Sequence, residues 1–403
     1  MLRGDMERIR RLPLSADWLG PLVLGAYFVW QFSSVWLVGR GDVVWVSFVA
    51  MLTAVLWIVR RGPPTAVEVM ALEVLAASLL NDLDYSRAGA LRDLRLYLDA
   101  GQAFLAGHSP YTTDVLTAYP ADLGDLPFLY APPTLPLFGL LSALPFPLVG
   151  ALWLAGSAAA VVIALRAFGL SWAWAALSLA WFPIEQAIYT GNVAAPAILL
   201  LAFGPALPSI LPVGAILKPQ NGILALWLVR QRYWRSLAWG LGAVAALVAV
   251  TLPLTGISLW QDWIRGLLAY QGSEQNFRSL YGVGLAKYLP LPVFIAIAAV
   301  ATLLALRATG RIGLARLGLA SVIASPSLWS HGFMFAIPAF LSLRAPWLWL
   351  VAGLLSIGPF PGPQVVLLIA AFAWFLPSLR RDDARGPHPL GHAVTPWPGI
   401  TAP

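Results

Sequence analysis

Uncharged apolar runs, separated by short basic clusters, occupy most of this chain. The stretches 18–39, 43–59, 126–165, 167–184, 236–261, 288–306 and 345–379 contain no charged residue. A helix needs about 20 mostly apolar residues to cross a bilayer, so several of these runs are long enough for two passages. Spans are expected over about 17–39, 43–59 and 64–80, then 148–165, 236–254, 290–306, 313–324, 333–343, 346–357 and 363–379. The segment 132–144, closed by Pro145 and Pro147, either slants across the membrane or lies in its interface. That choice also sets the orientation of the Thr190-Gly191-Asn192 turn. Within 64–80, Glu68 and Glu73 stand about 140° apart around a helix; both can still face protein rather than lipid. The pattern predicts an all-α polytopic membrane protein of roughly 10–13 transmembrane helices, with two short external loops bearing amphipathic helices.

Composition agrees with the pattern. Hydrophobic residues make up 59% of the chain and charged ones 11%, where a soluble domain carries about 25% charged residues. The net charge of +7 would suit a nucleic-acid partner if the cations formed one patch, but they do not. They fall as Arg3, Arg8, Arg10 and Arg11; Arg60 and Arg61; Arg230, Arg232 and Arg235; Arg307, Arg311 and Arg316; and Arg380, Arg381 and Arg385. Basic clusters between apolar runs mark cytoplasmic connections. The charge therefore reports topology, with both termini in the cytoplasm and no nucleic-acid partner. The first run is too long for a signal-peptide core and reads as a retained helix. Cysteine is absent, which excludes disulfides and thiolate metal sites.

Two polar breaks remain, and both fall on the outer face. The first, 81–131, carries Asp82, Asp84, Asp93, Asp99, Asp114, Asp122 and Asp125 against Arg87, Arg92 and Arg95. The second, 256–289, is rich in Trp, Tyr, Gln and Asn. In the first, Asp93, Leu96, Tyr97 and Ala100 share one face at helical spacing, and Gly107 and Pro110 stop that helix. The pattern alone fits a solvated loop helix with Asp93 as its N-terminal cap as well as it fits a carboxylate set at a site.

The order of short motifs bears on this choice. Asp93-x-x-x-Tyr97-x-x-Ala100-Gly101 is followed by Gly107-x-x-Pro110-Tyr111 and the Pro132-Pro133 pair. Then come Gly191-Asn192, Ile216-Leu217-Lys218-Pro219, Asn276-x-x-Ser279-Leu280 and Ser325-Pro326-x-x-Trp329-x-His331. This ordered set resembles the polyprenol-phosphate-mannose-dependent, alpha-(1-2)-mannosyltransferase-like enzymes of the GT-C superfamily. Two departures stand out: the family's Gly-Gln-x-Asn turn lacks its glutamine here, and the Asn-x-Ser-Leu loop carries one extra residue. The resemblance covers about 64–380 as a GT-C-like transmembrane catalytic domain. Residues 1–63 are then a cytoplasmic segment with two additional helices, and 381–403 a disordered cytoplasmic tail.

The resemblance implies an integral enzyme of the plasma membrane whose active site faces outward. It would move a sugar, mannose first, from a polyprenyl-phosphate donor to a hydroxyl of a lipid-linked or cell-envelope glycan or glycolipid acceptor. Asp93 would be the general base of an inverting transfer. His331, Lys218 and Arg278 would bind the donor phosphate, and Tyr97, Asp99, Tyr111, Asn192, Asn276, Ser279 and Trp329 the sugar or acceptor. The lipid-phosphate sugar and the membrane lipids are the expected partners. No cofactor and no metal are expected, although Asp82-Leu83-Asp84 has the Asp-x-Asp spacing of divalent-ion sites in nucleotide-sugar transferases. His108, His388 and His392 form no ligand set with it. Read without the resemblance, His331 fits a hydrogen-bonded histidine within a helix bundle. Lys218, deep in an apolar run, needs a partner such as Glu185, Glu68 or Glu73. A transporter or flippase of lipid-linked sugars would want inverted repeats with broken helices at the midplane; Lys218-Pro219 is the one possible break. A non-catalytic relative that only binds glycan is the third reading.

Overall fold

A computed structural model describes residues 91–111, 127–170, 182–272, 284–287, 289–326 and 328–342, with Ala175, Ser178 and Leu179. The expected spans at 17–39, 43–59, 64–80, 346–357 and 363–379 lie outside the described residues, as do Glu68, Glu73, Asp82, Asp84, Asn276, Arg278, Ser279 and the tail. Within the described residues the secondary structure is entirely helical.

Helix α1 (Arg92–Leu105) is the expected amphipathic element. It buries Asp93, Leu94, Tyr97, Leu98, Ala100 and Gly101, while Arg95 and Asp99 are exposed. Its end is a glycine stop: Gly107 has φ +77, His108 N–H donates to the Ala103 carbonyl and Gly107 N–H to that of Phe104. That pair of bonds is the Schellman arrangement, which a left-handed residue makes possible.

A 3-10 turn at Pro132–Thr134 leads into α2 (Leu135–Ser142). At eight residues, α2 rises only about 12 Å, so it cannot cross a bilayer core of about 30 Å. Of the two readings of 132–144, the full crossing is therefore excluded. Instead α2 lies against α1, backbone to backbone. A Cβ on Gly101 would sit 2.4 Å from the Phe138 carbonyl carbon, and one on Gly139 would sit 3.1 Å from Leu105.

Helix α3 (Phe146–Ala167) is 22 residues long and sufficiently apolar to cross a membrane. It buries Gly150, Ser157, Ala158, Ala160 and Ala164 together with Val149, Val161 and Leu165, and exposes Leu148, Leu152 and Ile163. Large aliphatic side chains facing outward suit a helix in contact with lipid. Helix α4 (Phe182–Tyr189) follows. The apolar stretch after it does not form one span. It breaks into α5 (Ala194–Ala197), α6 (Leu199–Phe203), a turn at Pro208–Ile210, α7 (Gly214–Leu217), a 3-10 segment at Pro219–Ala225 and α8 (Leu226–Gln231). Proline removes an amide donor and pushes the preceding residue toward extended backbone. Accordingly Lys218, just before Pro219, is extended at φ −148, ψ 120.

Helix α9 (Trp234–Gly272) is the second span-length apolar helix. The expected end near 254 corresponds to a kink, not a loop: Pro253 precedes Gly256, whose φ of +65 and ψ of 164 leave the helical region. The chain then continues helically to Gly272, through the first half of what the sequence suggested was loop. Trp239, Val250, Leu254, Ile257 and Leu268 are exposed along α9. Such a continuous apolar face would be an aggregation liability in water and is ordinary in contact with lipid.

Helices α10 (Leu291–Ala305) and α11 (Gly310–Ile323) lie where helices were expected, over 290–306 and 313–324, and are 15 and 14 residues long. α11 is buried nearly all round, from Gly313 to Ile323, and forms the centre of the main apolar core. A Cβ on Gly318 would come within 2.5 Å of the Phe335 carbonyl oxygen, which shows how closely the next segment lies. That segment, expected as one span over 333–343, is a 3-10 stretch at Ser330–Ala336 followed by α12 (Ile337–Ser342). Two of the basic clusters meet where α8 approaches the α10–α11 turn. Arg230 donates to the Leu306 carbonyl at 2.7 Å and Trp227 to that of Gly310 at 2.8 Å. All-helical structure, two span-length apolar helices and aliphatic outer faces are consistent with a helical membrane protein.

Candidate active site

The site begins with two helix ends that satisfy each other. A helix leaves its first amides and last carbonyls without internal partners. At the start of α1, the amides of Leu91, Asp93 and Leu94 donate to the carbonyls of Tyr189 and Thr190 at the end of α4, at 2.8, 2.8 and 3.3 Å. α4 itself closes in a second Schellman turn. Asn192 N–H donates to the Ala187 carbonyl at 2.8 Å, Gly191 N–H to that of Ile188 at 3.0 Å, and Gly191 has φ +71. Glycine is required there twice, because a Cβ would also stand 2.8 Å from that of Leu94. Trp153 on α3 pins the turn from the far side by donating to the Gly191 carbonyl at 2.8 Å.

This junction puts Asp93 and Asn192, 99 positions apart, in contact. Both are 5% exposed. Asn192 Oδ1 accepts the Ala194 amide at 2.9 Å, which fixes which way the side-chain amide faces. Its Nδ2 then donates to Asp93 Oδ2 at 2.6 Å, and Arg92 Nε donates to Asp93 Oδ1 at 3.1 Å. Asp93 is therefore not the helix cap allowed by the pattern: Leu91 holds the cap position and no side chain caps the helix. Each carboxylate oxygen has one partner and keeps lone pairs to accept another proton donor.

Next to this pair, the Tyr130 phenol meets the Tyr97 hydroxyl at 2.8 Å. Burial pushes both phenols well above their ordinary range, with the Asp93 charge adding to it, so both stay protonated. Tyr97 is packed among Phe128, Phe138 and Trp153, and Tyr111 donates to the Tyr130 carbonyl at 2.8 Å. Tyr97 and Tyr111 thus form the wall behind Asp93.

The second part comes from two broken segments. Lys218, in the extended link before Pro219, and His331, in the 3-10 stretch after α11, meet Nζ to Nε2 at 3.1 Å. Two cations this close would repel by about 5 kcal/mol even at an effective dielectric of 20, so only one carries charge. An ammonium has no lone pair, so Lys218 donates, Nε2 accepts, and the imidazole is neutral with its proton on Nδ1. Lys218 is attracted to Asp93, and His331 lies within the field of Lys218 and Arg92. Arg92 in turn stands over the Trp329 ring, 5.8 Å from its centre.

Asp93, Tyr97, Asn192, Lys218, Trp329 and His331 thus come together, with Tyr111 behind them. Asp99 does not join; six residues after Asp93 it points about 120° away around the helix and is exposed. Sequence reasoning passed over Arg92, whose only signal was its place beside Asp93 in an acid-rich stretch. Tyr130, just ahead of the Pro132-Pro133 pair, was given no role. Among the described residues, no cluster of acids and histidines could hold a metal ion. What the site offers is a polarised carboxylate, protonated phenols and one shared positive charge, a set suited to taking a proton from a hydroxyl beside a departing anion.

No curated protein matches this chain, and no solved structure does. Residues 128–326, just under half of the chain, match the model of glycosyltransferase family 87. The matched stretch includes Tyr130, Asn192 and Lys218, begins after Asp93 and ends before His331, and its likeness supports a membrane glycosyltransferase.

Proposed function

We propose that this protein transfers a sugar from a polyprenyl-phosphate donor to a hydroxyl of a lipid-linked or cell-envelope glycan acceptor on the outer face of the membrane. Mannose is the first donor sugar to test. Asp93 takes the acceptor proton as the acceptor oxygen bonds to the anomeric carbon. The bond from that carbon to the phosphate oxygen breaks, and the phosphate leaves with the electron pair. Attack opposite the leaving group inverts the anomeric centre. A phosphate needs little help to leave, so the chain's contribution is to activate the nucleophile and to meet the developing charge.

The observation that carries this reading is the Asp93 carboxylate, buried and held by Arg92 and Asn192 beside the Lys218–His331 pair. The aliphatic outer faces of α3, α9 and α10 supply the lipid contact that a polyprenyl tail demands. Arg278, Asn276 and Ser279 are assigned to the same site by the motif order alone. The test is sugar transfer from polyprenyl-phosphate-mannose by the detergent-solubilised protein and by Asp93→Asn. We expect transfer by the parent and a fall of about 10²–10⁴-fold in the variant, with unchanged thermal unfolding. Equal activity in the two would remove Asp93 from the mechanism. Failure of the parent with a full panel of lipid-phosphate sugars would overturn the donor class.

A further inference from the structure

Where α8 ends against the α10–α11 turn, Leu226, Val229, Arg230, Arg232, Trp234 and Leu306 line an open groove of about 340 Å³. That volume lies in the range of small-molecule sites, about 300–1,000 Å³, and the groove shares no residue with the site around Asp93. Arg230 spends Nε on the Leu306 carbonyl, which uses one of the five N–H donors of a guanidinium.

Arg232 is the less expected of the two cations. It follows the last residue of α8 at φ 60, ψ 30. Tyr233 N–H donates to the Leu228 carbonyl at 2.8 Å and Arg232 N–H to that of Val229 at 3.1 Å. This is another Schellman turn, and its left-handed position ordinarily takes glycine. Among the described residues, only Leu91 and Arg232 hold a positive φ without being glycine. A side chain kept at a strained position points to a use for it, and this one lines the groove.

Charge and shape together name the occupant. Arg235, Arg307 and Arg311 are also exposed, on α9 and around the α10–α11 turn. The chain has no acidic residue between Glu185 and Asp262 or between Glu274 and Asp382. Among the described residues, none of these five arginines forms an ion pair. The rest of the groove is aliphatic, with an indole that is 57% exposed. Exposed Trp239 and Leu241 follow on α9, and exposed Leu303 precedes Leu306 on α10. Arginine and tryptophan beside aliphatic surface are the mixture of a membrane–water interface. A phosphate joined to an acyl chain satisfies both parts of it, since guanidinium groups bind phosphate oxygens in pairs.

We propose that this groove binds an anionic phospholipid, with Arg230 and Arg232 on its phosphate, Trp234 at headgroup level, and Leu226, Val229 and Leu306 against its upper acyl chain. The site stands on the membrane reading alone and is independent of the sugar donor.

Native mass spectrometry of the full chain in mixed micelles tests it, with phosphatidylglycerol as the probe and phosphatidylcholine and a polyprenyl monophosphate as comparisons. The variants are Arg232→Gly, Arg230→Gln and Arg265→Gln. Arg232→Gly removes the side chain and relieves the backbone together, so its thermal unfolding midpoint should equal or exceed the parent's. Arg265, exposed on α9 and paired with Asp262 at 2.9 Å, controls for the loss of one positive charge. The parent should prefer phosphatidylglycerol to phosphatidylcholine. Arg232→Gly and Arg230→Gln should each weaken phosphatidylglycerol by about fivefold and leave phosphatidylcholine unchanged, while Arg265→Gln behaves as the parent. Should Arg230→Gln fail to fold, Arg232→Gly decides. Equal binding of the two phospholipids by the parent, parent-like binding in Arg232→Gly, or an equal loss in Arg265→Gln would overturn the site. Binding of the polyprenyl monophosphate without phosphatidylglycerol would overturn it too, and would give the groove to an isoprenoid phosphate.

Discussion

The Asp93–Asn192 junction and the Lys218–His331 side of the site are built on opposite principles. At the junction helix-end amides meet helix-end carbonyls, and Asn192 spends its amide nitrogen and its oxygen on named partners. On the other side the chain is broken by proline, the backbone is extended, and two buried polar atoms lie unpaired beside a cavity. The first half is closed by backbone hydrogen bonds, and the second is built on broken helix and extended backbone. A base must be held still to catch one proton, and rigid packing with a full set of hydrogen bonds does that.

Three substitutions probe that contrast through stability. Gly191→Ala should cost the most, about 2–4 kcal/mol, because it adds a side chain in the left-handed region and drives its Cβ into Leu94. The check is the thermal unfolding midpoint in detergent, and an unchanged midpoint would show that the junction is not the rigid half. Asn192→Ala comes next. It leaves Asp93 Oδ2 and the Ala194 amide without partners, for a loss of about 1–3 kcal/mol, and transfer should fall with it. Lys218→Met should move stability least, within about 1 kcal/mol, since it replaces a costly buried cation with an apolar side chain of similar length. Its transfer rate should nevertheless drop by about 10²-fold or more. If Lys218→Met unfolds as readily as Gly191→Ala, both halves are structural and the contrast collapses.

Much of the local structure was readable in advance. The face of α1 carrying Asp93, Tyr97 and Ala100, its stop at Gly107, and the helices near 290–306 and 313–324 follow from spacing, glycine and apolar length. The run after Asn192 was less so. Its prolines are plain to see, but hydropathy counts apolar residues and ignores missing amide donors, so a broken segment scores like a span. The α9 kink was misread for a related reason: polar residues after Gly256 looked like a loop, yet they continue a helix whose Trp263 donates to the Leu129 carbonyl at 3.0 Å.

What the sequence determined by itself is the apolar, helical character of the chain, the amphipathic α1 and the kinds of residue available for chemistry, because composition and periodicity act over a few neighbouring turns. Only the tertiary structure decided which of those residues meet. Asp93 reaches Asn192 because the open ends of α1 and α4 satisfy each other across Gly191, and Lys218 reaches His331 across 113 positions. Such pairings depend on unspent backbone groups and on close approach at single glycines, features that no local pattern encodes.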